Sequence, residues 1–137
     1  MTEHLLFDPT TQVLRKSLDL RAKNQQIIAA NVANAETPGY APAKFSFEDA
    51  LSTAISASKQ PALAAPHPKH FPLGPTSLAA VQGEITREAD TTGIGDKNGV
   101  SVDEEMIALA QNELLFETSA QLLQKKFSLL RHVISGQ

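Results

Sequence analysis

The chain has 137 residues, a net charge of −3, one tyrosine, six phenylalanines and no tryptophan, which suits one ordinary domain; its mixed charge lacks the basic face that a nucleic-acid partner requires. The absence of cysteine excludes disulfides, thiolate metal sites and a cysteine nucleophile. The opening MTEHLLFDPT has neither a basic n-region nor a long apolar run, so it is not a standard secretory signal, and no stretch approaches the roughly 20 apolar residues of a membrane helix. The chain reads as soluble.

In chain order, 1–36 reads as an N-terminal helix region, 37–100 as an irregular middle segment and 101–137 as a C-terminal heptad helix, all within one domain. The first helix is expected from about Thr10 to Ala35, capped by Thr10 or Thr11 after the turn-forming Asp8-Pro9. Its apolar residues form no single clean stripe: Val13, Leu20 and Ile27 lie seven apart, whereas Leu14, Leu18, Ala22, Ile28, Ala29 and Val32 widen the face. The stretch RAKNQQ, residues 21–26, is nearly bare of large apolar groups.

The helix runs into NVANAETPGY, residues 31–40. Thr37-Pro38-Gly39-Tyr40 carries Pro at i+1 and Gly at i+2, the signature of a type II turn. Pro38 pushes Thr37 out of the helical region, so the helix stops by Ala35 or Glu36. Asn34 near that end suits capping. Asn31 is harder to explain, because asparagine is a poor former of helix interiors. A side-chain amide offers donors and acceptors together, which fits a crowded polar interface between packed helices.

The middle segment holds seven of the eight prolines and every glycine except Gly136. Phe47–Ser58 is expected as a short helix and Ala79–Ile85 as an extended piece; the rest reads as turns and loop. So much irregular chain between two long helices is unusual in a compact domain and common in chains that order against neighbours. His67 and His70 sit in a Pro-rich loop without a third ligand, and read as solvated loop histidines. Asp96-Lys97-Asn98-Gly99 with Ser101 and Asp103 matches a calcium loop poorly, since the glycine comes too early and the distal glutamate is misplaced. Gly93-Ile94-Gly95 lacks the third glycine of a dinucleotide fingerprint. No metal, cofactor or catalytic constellation is expected.

The last zone is the most definite. Ser101-Val-Asp-Glu104 is a capping box, and Met106, Leu109, Glu113, Phe116, Ala120, Leu123, Phe127, Leu130 and Ile134 alternate in steps of three and four, a heptad over about four repeats. Leu115, Leu122 and Leu129 add a flank, and Ile107 with Leu114 starts another. Glu113, the one polar interruption, fits either a register-setting position or an edge residue. Acidic Asp103, Glu104 and Glu105 at the start and Lys125, Lys126 and Arg131 near the end complement the helix dipole. The expected fold is mainly α, with two long terminal helices forming an antiparallel coiled-coil-like hairpin around the irregular middle. The apolar face of the last helix is wider than the patchy first helix can cover. Another copy or another protein should cover the rest.

Leu18 to Tyr40, LDLRAKNQQIIAANVANAETPGY, closely resembles the N-terminal signature of the bacterial flagellar rod and hook family. The pattern Asn-x-Ala-Asn-x-x-Thr-Pro-Gly-Tyr is matched by Asn31, Ala33, Asn34, Thr37, Pro38, Gly39 and Tyr40. Gly99 to Met106 and the heptad helix after it resemble the family's C-terminal segment. The chain has no room for the large β domains of distal rod and hook members, and its opening and LAQNELLFETSAQLLQKKFSLLRHVISG look like the short proximal rod type. It departs from that type at Phe116, where a tyrosine is common, and Lys44-Phe-Ser-Phe47 lacks the expected basic-acidic-Phe pattern.

The resemblance implies a structural subunit of the basal-body rod that transmits torque without chemistry. It implies a periplasmic location reached through flagellar type III export, without a cleavable signal. The implied partners are other copies, other rod proteins, the adaptor between rod base and MS ring, and the export apparatus, with no nucleic acid and no membrane insertion. The motif residues would serve assembly, and Met106, Leu109, Phe116, Leu123, Phe127, Leu130 and Ile134 would serve helix packing. A coiled-coil adaptor or export chaperone is the competing reading; an enzyme would rest on His67 and His70 alone.

Overall fold

A computed structural model describes residues 8–59, 77–87 and 99–136. His67, His70, Pro61–Pro75, Gly93-Ile94-Gly95 and Asp96-Lys97-Asn98 lie outside the described residues. The elements are helix α1 (Pro9–Ala33), strand β1 (Ala43–Ser46), helix α2 (Glu48–Lys59), a 3-10 turn (Leu78–Ala80), strand β2 (Glu84–Arg87) and helix α3 (Val102–Ser135).

Helix α1 starts slightly before the expected caps. The Asp8 carboxylate accepts a hydrogen bond from the Thr10 amide at 3.0 Å, and Pro9 opens the first turn, where its missing N–H and fixed φ do no harm. Thr11 instead lies buried inside the helix. Helix α3 is capped by Ser101, whose Oγ accepts from the Glu104 amide at 3.4 Å.

The two helices form an antiparallel hairpin. Asp8 pairs with Lys126 at one end, Asn24 faces Asn112 in the middle, and Asn31 meets Glu105 at the other end. At 1.5 Å per residue, α1 is about 38 Å long and α3 about 51 Å. The excess length of α3 runs from Lys126 to Ser135, about 13 Å beyond its tie to Asp8.

The apolar core does not lie between these long helices. It gathers Leu20 of α1 with Phe45, Phe47, Leu51, Ala54 and Val81 from the middle segment. Strand β1 pairs antiparallel with β2, Phe45 opposite Ile85, and alternates buried and exposed residues, as a strand with one covered face must. The charged heads of Arg21 and Lys23 stand over this aromatic face: the Arg21 guanidinium, on a side chain only 12% exposed, lies 5.4 Å from the Phe47 ring centroid and the Lys23 ammonium 5.1 Å from that of Phe45. These cation–ring contacts account for Arg21 and Lys23 in a stretch almost bare of large apolar groups.

The described parts of the middle segment hold more regular structure than their composition suggests. Helix α2 forms close to where expected, and Ala79–Ile85 divides into the end of the 3-10 turn and the start of β2. Residues 43–46, expected as loop, form β1. Their partners are a strand about forty residues on and the Asn31 side chain, and neither shows in a local window.

Candidate functional site

The arrangement around NVANAETPGY begins with how the helix ends. Helix α1 stops at Ala33, and Asn34 is the C-cap. The Asn34 Nδ2 donates back to the Ala30 carbonyl at 2.8 Å, and its Oδ1 accepts from Thr37 Oγ1 at 3.3 Å. The Tyr40 amide donates to the Thr37 carbonyl at 3.2 Å, closing the turn, and Gly39 takes a φ of 73°, which only glycine adopts without strain. This turn returns the chain alongside the last turn of α1.

The returning backbone meets Asn31, whose side chain is 1% exposed. Asn31 Oδ1 accepts from the Ala43 amide at 3.0 Å, and its Nδ2 donates to the Ala43 carbonyl at 2.8 Å. The amide therefore binds Ala43 as a neighbouring strand would. Its second N–H donates to Glu105 Oε1 on α3 at 2.9 Å, and its oxygen also accepts from the Tyr40 hydroxyl at 3.2 Å. A primary amide has two donors and two acceptor lone pairs, and Asn31 uses all four. One side chain thus joins α1, the turn, β1 and α3. Ala33, Thr37, Pro38 and Gly39 are exposed, and Asn34 and Tyr40 half-buried.

A second set of residues continues this contact along the hairpin. Asn112, the one buried residue of α3, donates to the Arg21 carbonyl at 2.9 Å and accepts from Asn24 Nδ2 at 3.2 Å. Lys126 pairs with Asp8, and this contact together with the Thr10 amide holds the Asp8 carboxyl below the usual aspartate value. Glu105, Asn112 and Lys126 fall on one heptad, completed by Ser119. Asn24 and Asn31, seven apart, answer two of them from α1. This polar heptad is in the sequence, one residue out of step with the apolar series 106, 113, 120, 127 and 134. Reading only large apolar residues conceals it.

The apolar residues divide accordingly. Leu109, Phe116, Leu123 and Leu130 are partly buried. Met106, Phe127 and Ile134 are 51%, 48% and 75% exposed. Glu113 occupies an edge position, exposed, and accepts from Gln25 Nε2 at 3.4 Å. Leu114, Leu115, Leu122, Leu129 and Val133 are exposed as well. Among the described residues, no group of three or more His, Asp or Glu side chains is placed to hold a metal ion, and no helix is long and apolar enough to cross a membrane. The arrangement is a packing device: a polar seam fixes the hairpin's register and an apolar face is left outward.

Residues 12–40, which include the Asn31 hub, match the family model described as flagella basal body rod protein. Over 131 residues the chain is 30% identical to the flagellar basal body rod protein FlgB of Aeromonas hydrophila, covering 96% of each chain. It is also 30% identical to that of Bacillus subtilis, covering 96% of this chain and 97% of the relative. The Salmonella typhimurium protein of the same name is 29% identical over 133 residues, with 94% and 95% covered. Similarity that extends through the hub, the middle segment and the heptad helix, nearly end to end in both partners, shows that the chain belongs to the FlgB family of flagellar basal body rod proteins.

Proposed function

We propose that the chain is a structural subunit of the proximal rod, that it carries torque through side-by-side helix contacts, and that it makes and breaks no bonds. The observation that carries this reading is the outward apolar face of α3, where Leu114 and Leu129 are each 66% exposed and Val133 is 77% exposed. Fully burying one such side chain is worth about 1.5–3 kcal/mol, so a neighbour covering several of them would bind strongly. In this reading Asn31, Ala33, Asn34, Thr37, Pro38, Gly39 and Tyr40 hold the hairpin in its assembling shape. Met106, Leu109, Phe116, Leu123, Phe127, Leu130 and Ile134 pack it within itself and against neighbours. The neighbours are other copies, other rod proteins and the adaptor at the rod base. The chain reaches the periplasm by flagellar export, and it needs no cofactor.

The test is genetic and biochemical. Deleting the chain should stop rod growth at its base, and the native sequence should restore both motility and recovery of the chain in isolated basal bodies. Leu122→Asp with Leu129→Asp should abolish that recovery while leaving the far-ultraviolet circular dichroism of the purified chain unchanged. A native chain found as a stable cytoplasmic dimer, and missing from basal bodies, would replace this reading with that of an adaptor or export chaperone.

A further inference from the structure

Two surfaces of the chain are complementary and lie too far apart to meet within one copy. The first is an open cleft of about 550 Å³ between the β1–α2 junction and the segment leading into β2. Phe47 and Val81, both almost fully buried, lie beneath it, and Glu48, Asp49 and Glu84 line it, with no lysine or arginine among the lining residues. Glu48 lies 4.0 Å from Arg21 but keeps 66% of its side chain exposed, and Asp49 and Glu84 are exposed.

The second surface is the overhanging end of α3 beyond Lys126. Leu129, Val133 and Ile134 are large, apolar and exposed there, interleaved with exposed Arg131 and His132 and preceded by exposed Lys125. No aspartate or glutamate follows Glu117 in the chain. This end is basic, whereas the cleft is acidic.

The cleft belongs to the core that packs on α1 around Leu20 and Ile27. The overhang lies past the opposite end of α1 and points away from it. Leu20 is eleven residues from Pro9, about 16 Å along the helix, and α3 is continuous from Val102 to Ser135. The overhang therefore cannot fold back into its own cleft. Contacts between unlike patches on identical chains are heterologous, and they propagate into rings or filaments instead of stopping at a dimer.

We propose that the overhanging basic end of α3 of one copy seats in the acidic-rimmed cleft of a second copy. Arg131 pairs with the carboxylates that line the cleft. This rests on the rod reading and names one of its contacts.

Because the chain has no cysteine, introduced thiols are the only ones present. One purified full chain carries Gln82→Cys at the cleft and another carries Ser135→Cys on the overhang; the two are mixed under mild oxidant. The mixed-species disulfide should clearly exceed twice either same-species disulfide, the ratio that random pairing of equal amounts gives. Adding Arg131→Glu to the overhang chain should lower its yield by about fivefold, the scale of one exposed ion pair. Asp49→Lys with Glu84→Lys in the cleft chain should then restore it. Circular dichroism of each variant confirms that the helices persist. A mixed disulfide no more than twice either same-species one, or a yield indifferent to Arg131→Glu, would overturn the contact. In cells carrying both thiols on one chain, cross-linked ladders in isolated basal bodies support it. Basal bodies that contain the chain without such ladders overturn this contact and leave the rod reading standing. Native chain missing from basal bodies overturns the rod reading, and the contact is then decided by the purified chains.

Discussion

Replacing Asn31 with alanine is the sharpest perturbation the structure offers. The side chain is 1% exposed, and the Ala43 residue it serves is 6% exposed. Without the amide, the Ala43 N–H and C=O both lose their Asn31 partner in a site closed to water. A buried polar group left unpaired costs about 1–3 kcal/mol, so these two groups together set a loss of about 2–6 kcal/mol. The Glu105 and Tyr40 contacts add little, because both residues reach solvent and can hydrate. Alanine returns about 0.5–0.7 kcal/mol through its better helix propensity. The net destabilisation should be about 1.5–5.5 kcal/mol. Urea unfolding followed by helical circular dichroism measures the total, and hydrogen exchange at the Ala43 amide locates it. Asn31→Asp should be at least as damaging, since it keeps the acceptor toward the Ala43 amide but turns oxygen toward the Ala43 carbonyl and Glu105. A loss below about 0.5 kcal/mol, the range of ordinary surface substitutions, with Ala43 still protected, would refute the claim that this amide anchors β1.

Three further expectations follow from the same geometry. Gly39 and Gly83 both have positive φ, 73° and 68°, but a Cβ at Gly39 meets open space while one at Gly83 comes within 2.5 Å of the Phe45 ring. Gly39→Ala should therefore cost about 1–2 kcal/mol of backbone strain, and Gly83→Ala about 1–3 kcal/mol more from overpacking, seen as a lower Tm. Asn112→Leu alone should destabilise by about 1–3 kcal/mol, because the Arg21 carbonyl and the Asn24 amide lose their partner. Adding Asn24→Leu should recover much of that loss, while spin-label distances between α1 and α3 broaden as the register loosens. The Asp8 carboxyl is lowered by the Lys126 contact first and the Thr10 amide second. A lowered folded value means its contribution is fully present above the ordinary aspartate value near 4 and is lost as pH falls through the folded one. Lys126→Met should move the Asp8 titration, read by carboxyl NMR, upward.

Much of the fold was legible in local signals. The Ser101 cap, the heptad spacing of α3, and the Pro38-Gly39 break all act within a few residues, because helix hydrogen bonds and turn geometry close over three or four positions. The stretch from Asn31 to Tyr40 was legible as a pattern, and Asn31 stood out as a polar residue that local helix physics does not explain. Its partners were not legible. Ala43 and Glu105 are 12 and 74 residues away, and no window of sequence pairs them.

The sequence by itself determined that two long helices would flank a Pro/Gly-rich segment, and that the last helix would carry a wide apolar face. Only the tertiary structure decided which stripe of that helix faces inward. Two series run side by side along α3: Glu105, Asn112, Ser119 and Lys126, and one residue later Met106, Glu113, Ala120 and Phe127. Amphipathic patterning alone would bury the second. The first is turned toward α1 because Asn24, Asn31 and Asp8 wait there with matching donors and acceptors, and a buried amide is stable only where its hydrogen bonds are met. Pairing the polar stripe within the chain leaves the apolar one outside, where Met106 and Phe127 remain about half exposed.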